Sequence, residues 1–108
     1  MIYYTGIDIG STASKVVVLD SEKMVANFVI PTGWNSKDTS REIARRLGEM
    51  GYPVDENMKV LATGYGRISV DYAQKVVTEI TCHGRGGYAI VGEDCTIIDI
   101  GGQDTKVI

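Results

Sequence analysis

Short apolar runs rich in β-branched residues, separated by small polar turns, dominate the first third of the chain. These runs predict strands over residues 4–9, 15–20 and 25–31, because each has the length and composition of a strand. The five residues between the first two strands suit a hairpin turn rather than a crossover. The sequence therefore predicts a three-stranded antiparallel meander.

The hydrophobic period then becomes helical. Thr39 and Glu42 have the spacing of a capping box, which predicts the start of a helix. Gly51 is a typical residue at which such a helix ends. The apolar face of this predicted helix carries Ile43, Leu47 and Met50.

The rest of the chain predicts a series of shorter elements. They are a buried strand over 59–63, a helical segment over 68–77, a short strand over 78–81, a helix over 82–91, a strand over 96–100 and the start of another strand at 105–108. Three glycines weaken the prediction of the 82–91 helix, since each costs up to ~1 kcal/mol relative to alanine. Because the last strand has only begun where the sequence stops, we expect a piece of a longer protein.

Composition and charge restrict the class of protein. The hydrophobic content of 44% and charged content of 23% are typical of a globular domain. The formal charge is −3 and the basic residues are scattered, so we expect neither a nucleic-acid nor a membrane partner. No apolar run approaches the ~18 residues of a membrane span, so we expect a cytoplasmic protein. Cys82 and Cys95 match neither a disulfide framework nor a CxxC zinc array and are interpreted as reduced thiols.

One strand-turn-strand pattern occurs twice, at residues 8–15 and at residues 99–106. Each copy has an aspartate near the end of a strand, then glycine, then a returning strand. Glycine allows a turn whose successive backbone N–H groups bind phosphate oxygens. In the first copy Ser11 and Thr12 add hydroxyl donors, and Lys15 adds a positive charge.

The aspartates of this pattern, Asp8 and Asp99, would repel a phosphate unless a divalent cation lay between them. Mg²⁺ binds one or two carboxylates together with phosphate oxygens and keeps several waters, so the contact is direct or through water. One such turn alone is more often an ordinary hairpin, and the repetition is what favours a phosphate site. The GxxxxGK motif of P-loop proteins is missing, as is a GxGxxG turn leading into a helix, which argues against P-loop and dinucleotide-binding folds.

The chain resembles the ATPase activators of 2-hydroxyacyl-CoA dehydratases, and the related ATP-binding subunits of benzoyl-CoA reductase, in four motifs. These are GIDIGSTASK (6–15), ATGYGR (62–67), EITCHGRGG (79–87) and DIGGQDTKVI (99–108). The family belongs to the superfamily of acetate and sugar kinases, heat-shock chaperones and actin. The resemblance implies an α/β, ribonuclease-H-like (actin-like ATPase) domain, with a mixed sheet whose three-stranded meander is flanked by helices. Residues 1–108 would be its N-terminal subdomain, ending before the second domain.

The resemblance also implies the roles of individual residues. The first phosphate loop comprises Asp8, Gly10, Ser11, Thr12 and Lys15. The second comprises Asp99, Gly101, Gly102, Gln103 and Asp104, with Asp104 a further candidate Mg²⁺ ligand. Glu79 corresponds to a glutamate beside the attacking water in chaperone ATPases, and it would orient that water or bind it to magnesium. A plain surface charge is the equal alternative, and the catalytic candidates are Glu79, Asp8 and Asp99.

The functions of the other motif residues are less specific. Gly64 and Arg67 belong to a family signature, in which Arg67 serves either phosphate charge or, more simply, an interdomain salt bridge. Adjacent Cys82 and His83 do not supply a tetrahedral metal site without further ligands. Packing or capping is their simpler role.

For the whole protein the resemblance implies that ATP hydrolysis to ADP closes and reopens two domains, which drives low-potential electron transfer to a CoA-thioester dehydratase or reductase. It further implies a homodimer sharing a 4Fe–4S cluster, whose cysteine ligands lie beyond the second phosphate loop and therefore outside this chain, and a ferredoxin or flavodoxin as reductant. The 108 residues alone would hold half of a nucleotide site and hydrolyse ATP weakly or undetectably.

Two alternatives remain open from sequence. A small-molecule kinase of the same superfamily would use the same loops to phosphorylate a bound hydroxyl. A non-catalytic, actin-like assembly protein would polymerise with ATP and carry no cluster. Which acyl-CoA is used would depend on the partner enzyme.

Overall fold

Strands form two separate sheets in the computed structural model, which describes residues 1–93, 96, 98–100 and 105–107. The elements in chain order are β1 (Tyr3–Ile9), β2 (Ala13–Leu19), β3 (Met24–Pro31), α1 (Ser36–Glu49), β4 (Met58–Thr63), a 3₁₀ turn (Arg67–Ser69), β5 (Lys75–Val76), α2 (Glu79–Val91), β6 (Ile98–Ile100) and β7 (Thr105–Val107). The larger sheet has the order β3-β2-β1-β4-β5, and β6 pairs with β7. No helix in the described ranges is both long and apolar enough to cross a bilayer.

Strand β1 lies at the centre of the larger sheet. It pairs antiparallel with β2, which in turn pairs antiparallel with β3, so the predicted meander is confirmed. It also pairs in parallel with β4. The carboxyl ends of β1 and β4 therefore meet at the same edge of the sheet, which is the edge where α/β folds commonly bind ligands.

The core lies between the sheet and α1. Because side chains alternate along a strand, every second residue of β1, β2 and β4 faces this core. Its buried apolar residues are Ile7, Ile9, Val16, Val18, Ile30, Ile43, Leu47, Met58, Val60, Ala62 and Val70. Asp8, Lys15 and Thr63 belong to the alternate set and therefore project from the opposite face of the sheet.

Helix α1 begins earlier than the predicted capping box. Asn35 is its N-cap, and the Asn35 side chain accepts a hydrogen bond from the backbone N–H two residues on. Thr39 lies one turn inside the helix, where its hydroxyl donates to the Asn35 carbonyl oxygen at 3.3 Å. Glu42 accepts hydrogen bonds from Arg45 and Arg46 instead of capping the helix. The capping-box prediction is therefore wrong, because a stronger cap precedes it.

The end of α1 follows the prediction more closely. Gly51, at φ +91°, directly follows the C-cap residue Met50. Ile43 and Leu47 are buried as expected, but Met50 is exposed because it lies at the C-cap, beyond the last residue that packs on the sheet.

The predicted helical segment between β4 and α2 is wrong. Residues 68–77 do not form a helix, since a short 3₁₀ turn is followed by β5. The backbone N–H groups of Gln74 and Val77 donate to the carbonyl oxygens of Val60 and Ala62, at 2.9 and 3.0 Å. This pairing with the free edge of β4 is a long-range contact, and it outweighs the local helical pattern.

Helix α2 confirms the predicted 82–91 helix but starts three residues earlier. The predicted strand over 78–81 is wrong, because the Thr78 carbonyl oxygen already accepts the Cys82 N–H at 3.2 Å and begins the helical hydrogen bonds. The last two predicted strands are confirmed as β6 and β7. Residues 97, 101–104 and 108, which belong to those predictions, lie outside the described residues.

Candidate phosphate-binding site

Asp8 stands at the carboxyl end of β1, directly opposite Lys15 in β2. Lys15 Nζ lies 3.7 Å from Asp8 Oδ2. Asp8 Oδ1 is buried and accepts no hydrogen bond from any described residue. Leaving a buried acceptor unpaired costs about 1–3 kcal/mol, and more when it is charged. A buried carboxylate oxygen of this kind fits a hard cation such as Mg²⁺, which prefers oxygen ligands.

The β1–β2 turn beside Asp8 is closed tightly by glycine. The Gly10 N–H donates to the Ala13 carbonyl oxygen at 3.1 Å. A Cβ on Gly10 would lie 2.8 Å from that oxygen, so a larger residue would force the turn open. Ser11 and Thr12 are exposed at the tip of the turn. The predicted donors of the first phosphate loop, Gly10, Ser11, Thr12 and Lys15, are therefore brought together with Asp8 at one edge of the sheet.

The loop that follows β4, residues 64–67, lies against the same end of β1. Gly64 has φ +89°, and a Cβ there would overlap Asp8 Oδ1 and lie 2.5 Å from the Ile9 carbonyl oxygen. Gly66 donates its N–H to the same Ile9 carbonyl oxygen at 2.9 Å. Both glycines are needed for this close approach. The ATGYGR motif is thus part of the Asp8 site and not a separate feature of the chain.

The Arg67 side chain folds back onto the backbone of this loop. Its Nη1 donates to the Gly64 carbonyl oxygen at 3.0 Å. This contact holds the backbone that lies over Asp8, and it is a role that the sequence did not suggest for Arg67.

Thr63 lies beside Asp8 in this candidate site, and its sequence pattern did not single it out. It is the Cα partner of Asp8 across the parallel β1–β4 pair. The residue is 6% exposed, and its Oγ1, like Asp8 Oδ1, has no hydrogen-bond partner in the described part of the chain. Its position at the last residue of a buried strand, directly before the glycine loop, was the available signal.

The second strand-turn-strand pattern is only partly described. Asp99 in β6 is the Cα partner of Lys106 in β7, as Asp8 is of Lys15. The Asp99 side chain lies outside the described residues, as do Gly101, Gly102, Gln103 and Asp104. The roles of these residues stay predictions.

Glu79 and the cysteines complete the predicted set. Glu79 lies half-buried in the first turn of α2, and its catalytic role also stays a prediction. Cys82 is a free, half-buried thiol, and Cys95 lies outside the described residues. Within the described ranges, no three His, Cys, Asp or Glu side chains cluster as a metal site.

A sequence profile of the BadF/BadG/BcrA/BcrD ATPase family matches residues 5–108. The chain belongs to this family. The predicted resemblance to dehydratase activators is confirmed by this match together with the curated relatives.

Relatives of this ATPase-family chain include the 2-hydroxyisocaproyl-CoA dehydratase activator of Clostridioides difficile, to which it is 44% identical. That alignment covers 99% of the chain and 41% of the relative. The chain therefore spans about two-fifths of the length of the curated relatives it matches.

Two solved structures confirm the ribonuclease-H-like, actin-like fold of the chain. Component A of the (R)-2-hydroxyglutaryl-CoA dehydratase of Acidaminococcus fermentans matches with a TM-score of 0.85 at 41% identity, over 100% of this chain and 42% of that one. The activator of the 2-hydroxyisocaproyl-CoA dehydratase from Clostridium difficile, solved with bound ADPNP, matches with a TM-score of 0.83 at 45% identity. That match covers 98% of this chain and 40% of the activator chain.

Proposed function

We propose that the whole protein is an ATPase activator that couples ATP hydrolysis to low-potential electron transfer to a partner enzyme of the 2-hydroxyacyl-CoA dehydratase or benzoyl-CoA reductase type. The observation that carries this proposal is the likeness, at 41–45% identity over nearly the whole chain, to activators of 2-hydroxyacyl-CoA dehydratases, one of them solved with ADPNP bound.

The β1–β2 hairpin would hold the phosphate end of ATP. Gly10, Ser11 and Thr12 offer backbone N–H and hydroxyl donors at the exposed tip of the turn. Lys15, beside Asp8, would neutralise phosphate charge. Asp8 would hold Mg²⁺ directly or through water, and that ion supplies charge neutralisation of the phosphate oxygens when bound.

The β6–β7 hairpin would hold the phosphates from the other side. Its backbone register, with Asp99 opposite Lys106, supports this because it repeats that of β1–β2. The predicted second loop consists of Asp99, Gly101, Gly102 and Gln103, with Asp104 as a further Mg²⁺ ligand. Glu79 would orient the attacking water.

The partners belong to the same proposal. The protein would act in the cytoplasm as a homodimer, receive electrons from a ferredoxin or flavodoxin and pass them to the CoA-thioester enzyme. Cys82, the one cysteine among the described residues, does not make a ligand set for a 4Fe–4S cluster, so the ligands of such a cluster would come from outside the described residues.

The test uses the whole natural chain, purified without oxygen and mixed with a 2-hydroxyacyl-CoA dehydratase, a reductant and Mg²⁺-ATP. We expect ATP hydrolysis and ATP-dependent dehydratase activity, both lost in Asp8→Asn. The matched control is Asp20→Asn, because Asp20 directly follows β2 but accepts hydrogen bonds from the Glu22 and Lys23 N–H groups in an exposed turn.

The two readouts separate the parts of this proposal. ATP hydrolysis without dehydratase activation would reject the activator role and favour a kinase or another ATPase. Equal loss in Asp8→Asn and Asp20→Asn would reject the assigned phosphate site.

A further inference from the structure

Two buried side-chain oxygens without described hydrogen-bond partners lie on neighbouring strands, at the same edge of the sheet. They are Asp8 Oδ1 and Thr63 Oγ1. Their residues are Cα partners in a parallel pair, so both side chains project from the same face. Gly64 follows Thr63 and lies against Asp8 Oδ1, so both oxygens belong to one corner of the proposed site.

The Thr63 hydroxyl differs from other buried hydroxyls of this sheet. Thr5 Oγ1 donates to Met58 Sδ at 2.7 Å, and Ser14 Oγ is 2.7 Å from Thr32 Oγ1. Valine has nearly the shape of threonine and would fill the end of β4 without burying an unpaired donor and acceptor. Packing therefore does not explain threonine at position 63, whereas binding at this corner does.

We propose that Thr63 is a positioning residue of the nucleotide site: its Oγ1 accepts a hydrogen bond from a water molecule of the hydrated Mg²⁺ ion held at Asp8. This inference rests on the proposed function. Mg²⁺ gives up its waters reluctantly, and residues that hold a metal's outer contacts orient it and strengthen its binding. Asp8 would supply the charge, and Thr63 would fix the position of the hydrated ion.

The experiment compares Thr63→Val with Thr63→Ser and with the matched control Thr5→Val in the whole natural chain. The affinity for ADPNP is measured by calorimetry over a range of Mg²⁺ concentrations and in EDTA. In Thr63→Val we expect the Mg²⁺ concentration for half-maximal effect to rise roughly ten-fold, with the affinity in EDTA unchanged. Thr63→Ser keeps the hydroxyl, so its Mg²⁺ dependence of ADPNP binding should match that of the wild type. The Mg²⁺ dependence of Thr5→Val should match it as well.

The melting temperature without nucleotide or Mg²⁺ gives a second readout. Thr63→Val should melt at or above the wild-type temperature, because it removes a buried hydroxyl that has no described partner. Thr5→Val should melt lower, because its hydroxyl loses the contact with Met58 Sδ.

The outcomes separate this inference from the proposed function. Normal Mg²⁺ dependence in Thr63→Val together with a defect in Asp8→Asn would overturn the role of Thr63 and leave the function standing. A lower melting temperature of Thr63→Val would also overturn it, since the hydroxyl would then be structural. Wild-type protein that binds ADPNP without any Mg²⁺ dependence would reject the proposed nucleotide site itself.

Discussion

The β1–β2 and β6–β7 hairpins have the same register and different surroundings. Ile7, Asp8 and Ile9 face Val16, Lys15 and Ser14, and the equivalent strands pair Ile98, Asp99 and Ile100 with Val107, Lys106 and Thr105. Yet Ile7 and Val16 are each 1% exposed, whereas Ile98 is 68% and Val107 is 73% exposed.

The difference between the hairpins separates local from long-range determinants. A glycine turn between two short β-branched strands determines the register, and both copies contain it. Burial comes from other elements, since β3, β4 and α1 all pack around the first hairpin. Equivalent residues of the two copies should therefore contribute very differently to stability.

The largest expected effect tests this contrast directly. Ile7→Ala should lower the free energy of unfolding of the 108-residue chain by about 2–5 kcal/mol, because it opens a cavity in the core. Ile98→Ala, at the equivalent position, should change it by no more than about 0.5 kcal/mol. Urea denaturation followed by circular dichroism measures both. Similar losses would show that the second hairpin also supports the core.

The next effect concerns the loop that covers the end of β1. Gly64→Ala should destabilise the chain by about 3 kcal/mol, because left-handed backbone strain adds to an overlap with Asp8 Oδ1 and the Ile9 carbonyl oxygen. Gly51→Ala is the matched control. Gly51 also has positive φ but nothing within 4 Å of its added Cβ, so only the strain of about 1–2 kcal/mol applies.

The same denaturation experiment decides between these glycines. Equal losses at Gly64 and Gly51 would mean that the close approach to β1 contributes nothing. In that case the first hairpin would be less closely supported by the ATGYGR loop than the structure indicates.

A smaller effect tests whether the two hairpins have the same role in Mg²⁺-dependent nucleotide binding. If both aspartates hold the same hydrated cation, Asp8→Asn and Asp99→Asn in the whole natural chain should each weaken the Mg²⁺-dependent affinity for ADPNP, roughly ten-fold. The affinity in EDTA serves as the internal control. A defect confined to Asp8→Asn would mean that the repeated pattern is shared in backbone structure but not in function.

The sequence predicted the elements whose signals are local. The meander, both hairpins and the body of α1 follow from alternation, glycine turns and helical periodicity. The start of α1 was missed because Asn35 caps it ahead of the Thr39 pattern. The 68–77 segment was missed because its residues pair with the distant strand β4.

In the candidate site, too, residues with local signals were predictable and a residue defined by long-range pairing was not. Asp8, Gly10 and Lys15 were predictable, since turn chemistry and spacing place them together. Thr63 was not, because its position at a strand end before a glycine loop does not show that it pairs with Asp8. Its importance appears only when the parallel pairing sets it beside Asp8 and leaves its hydroxyl without a described partner.

The smallest expected effect lies on α1, the helix that covers the β1–β2 hairpin. Hydrogen bonds from Arg45 and Arg46 lower the pKa of Glu42 from 4.5 to about 2. A carboxyl group with a lower pKa in the folded chain stabilises it above the unfolded pKa, and that stabilisation is lost as the pH falls through the folded pKa. The window is therefore pH 4.5 to about 2, and the effect is small because the pair is exposed to solvent.

Melting curves of Glu42→Gln and the wild type test this pH window. The variant should melt slightly lower at pH 6, and the gap should close as the pH approaches 2. Glu56→Gln, which removes an exposed carboxylate before β4, is the matched control. A difference in melting temperature that stays constant with pH would mean that Glu42 stabilises α1 by packing. The position of α1 over the first hairpin would then not depend on the ion pairs of Glu42.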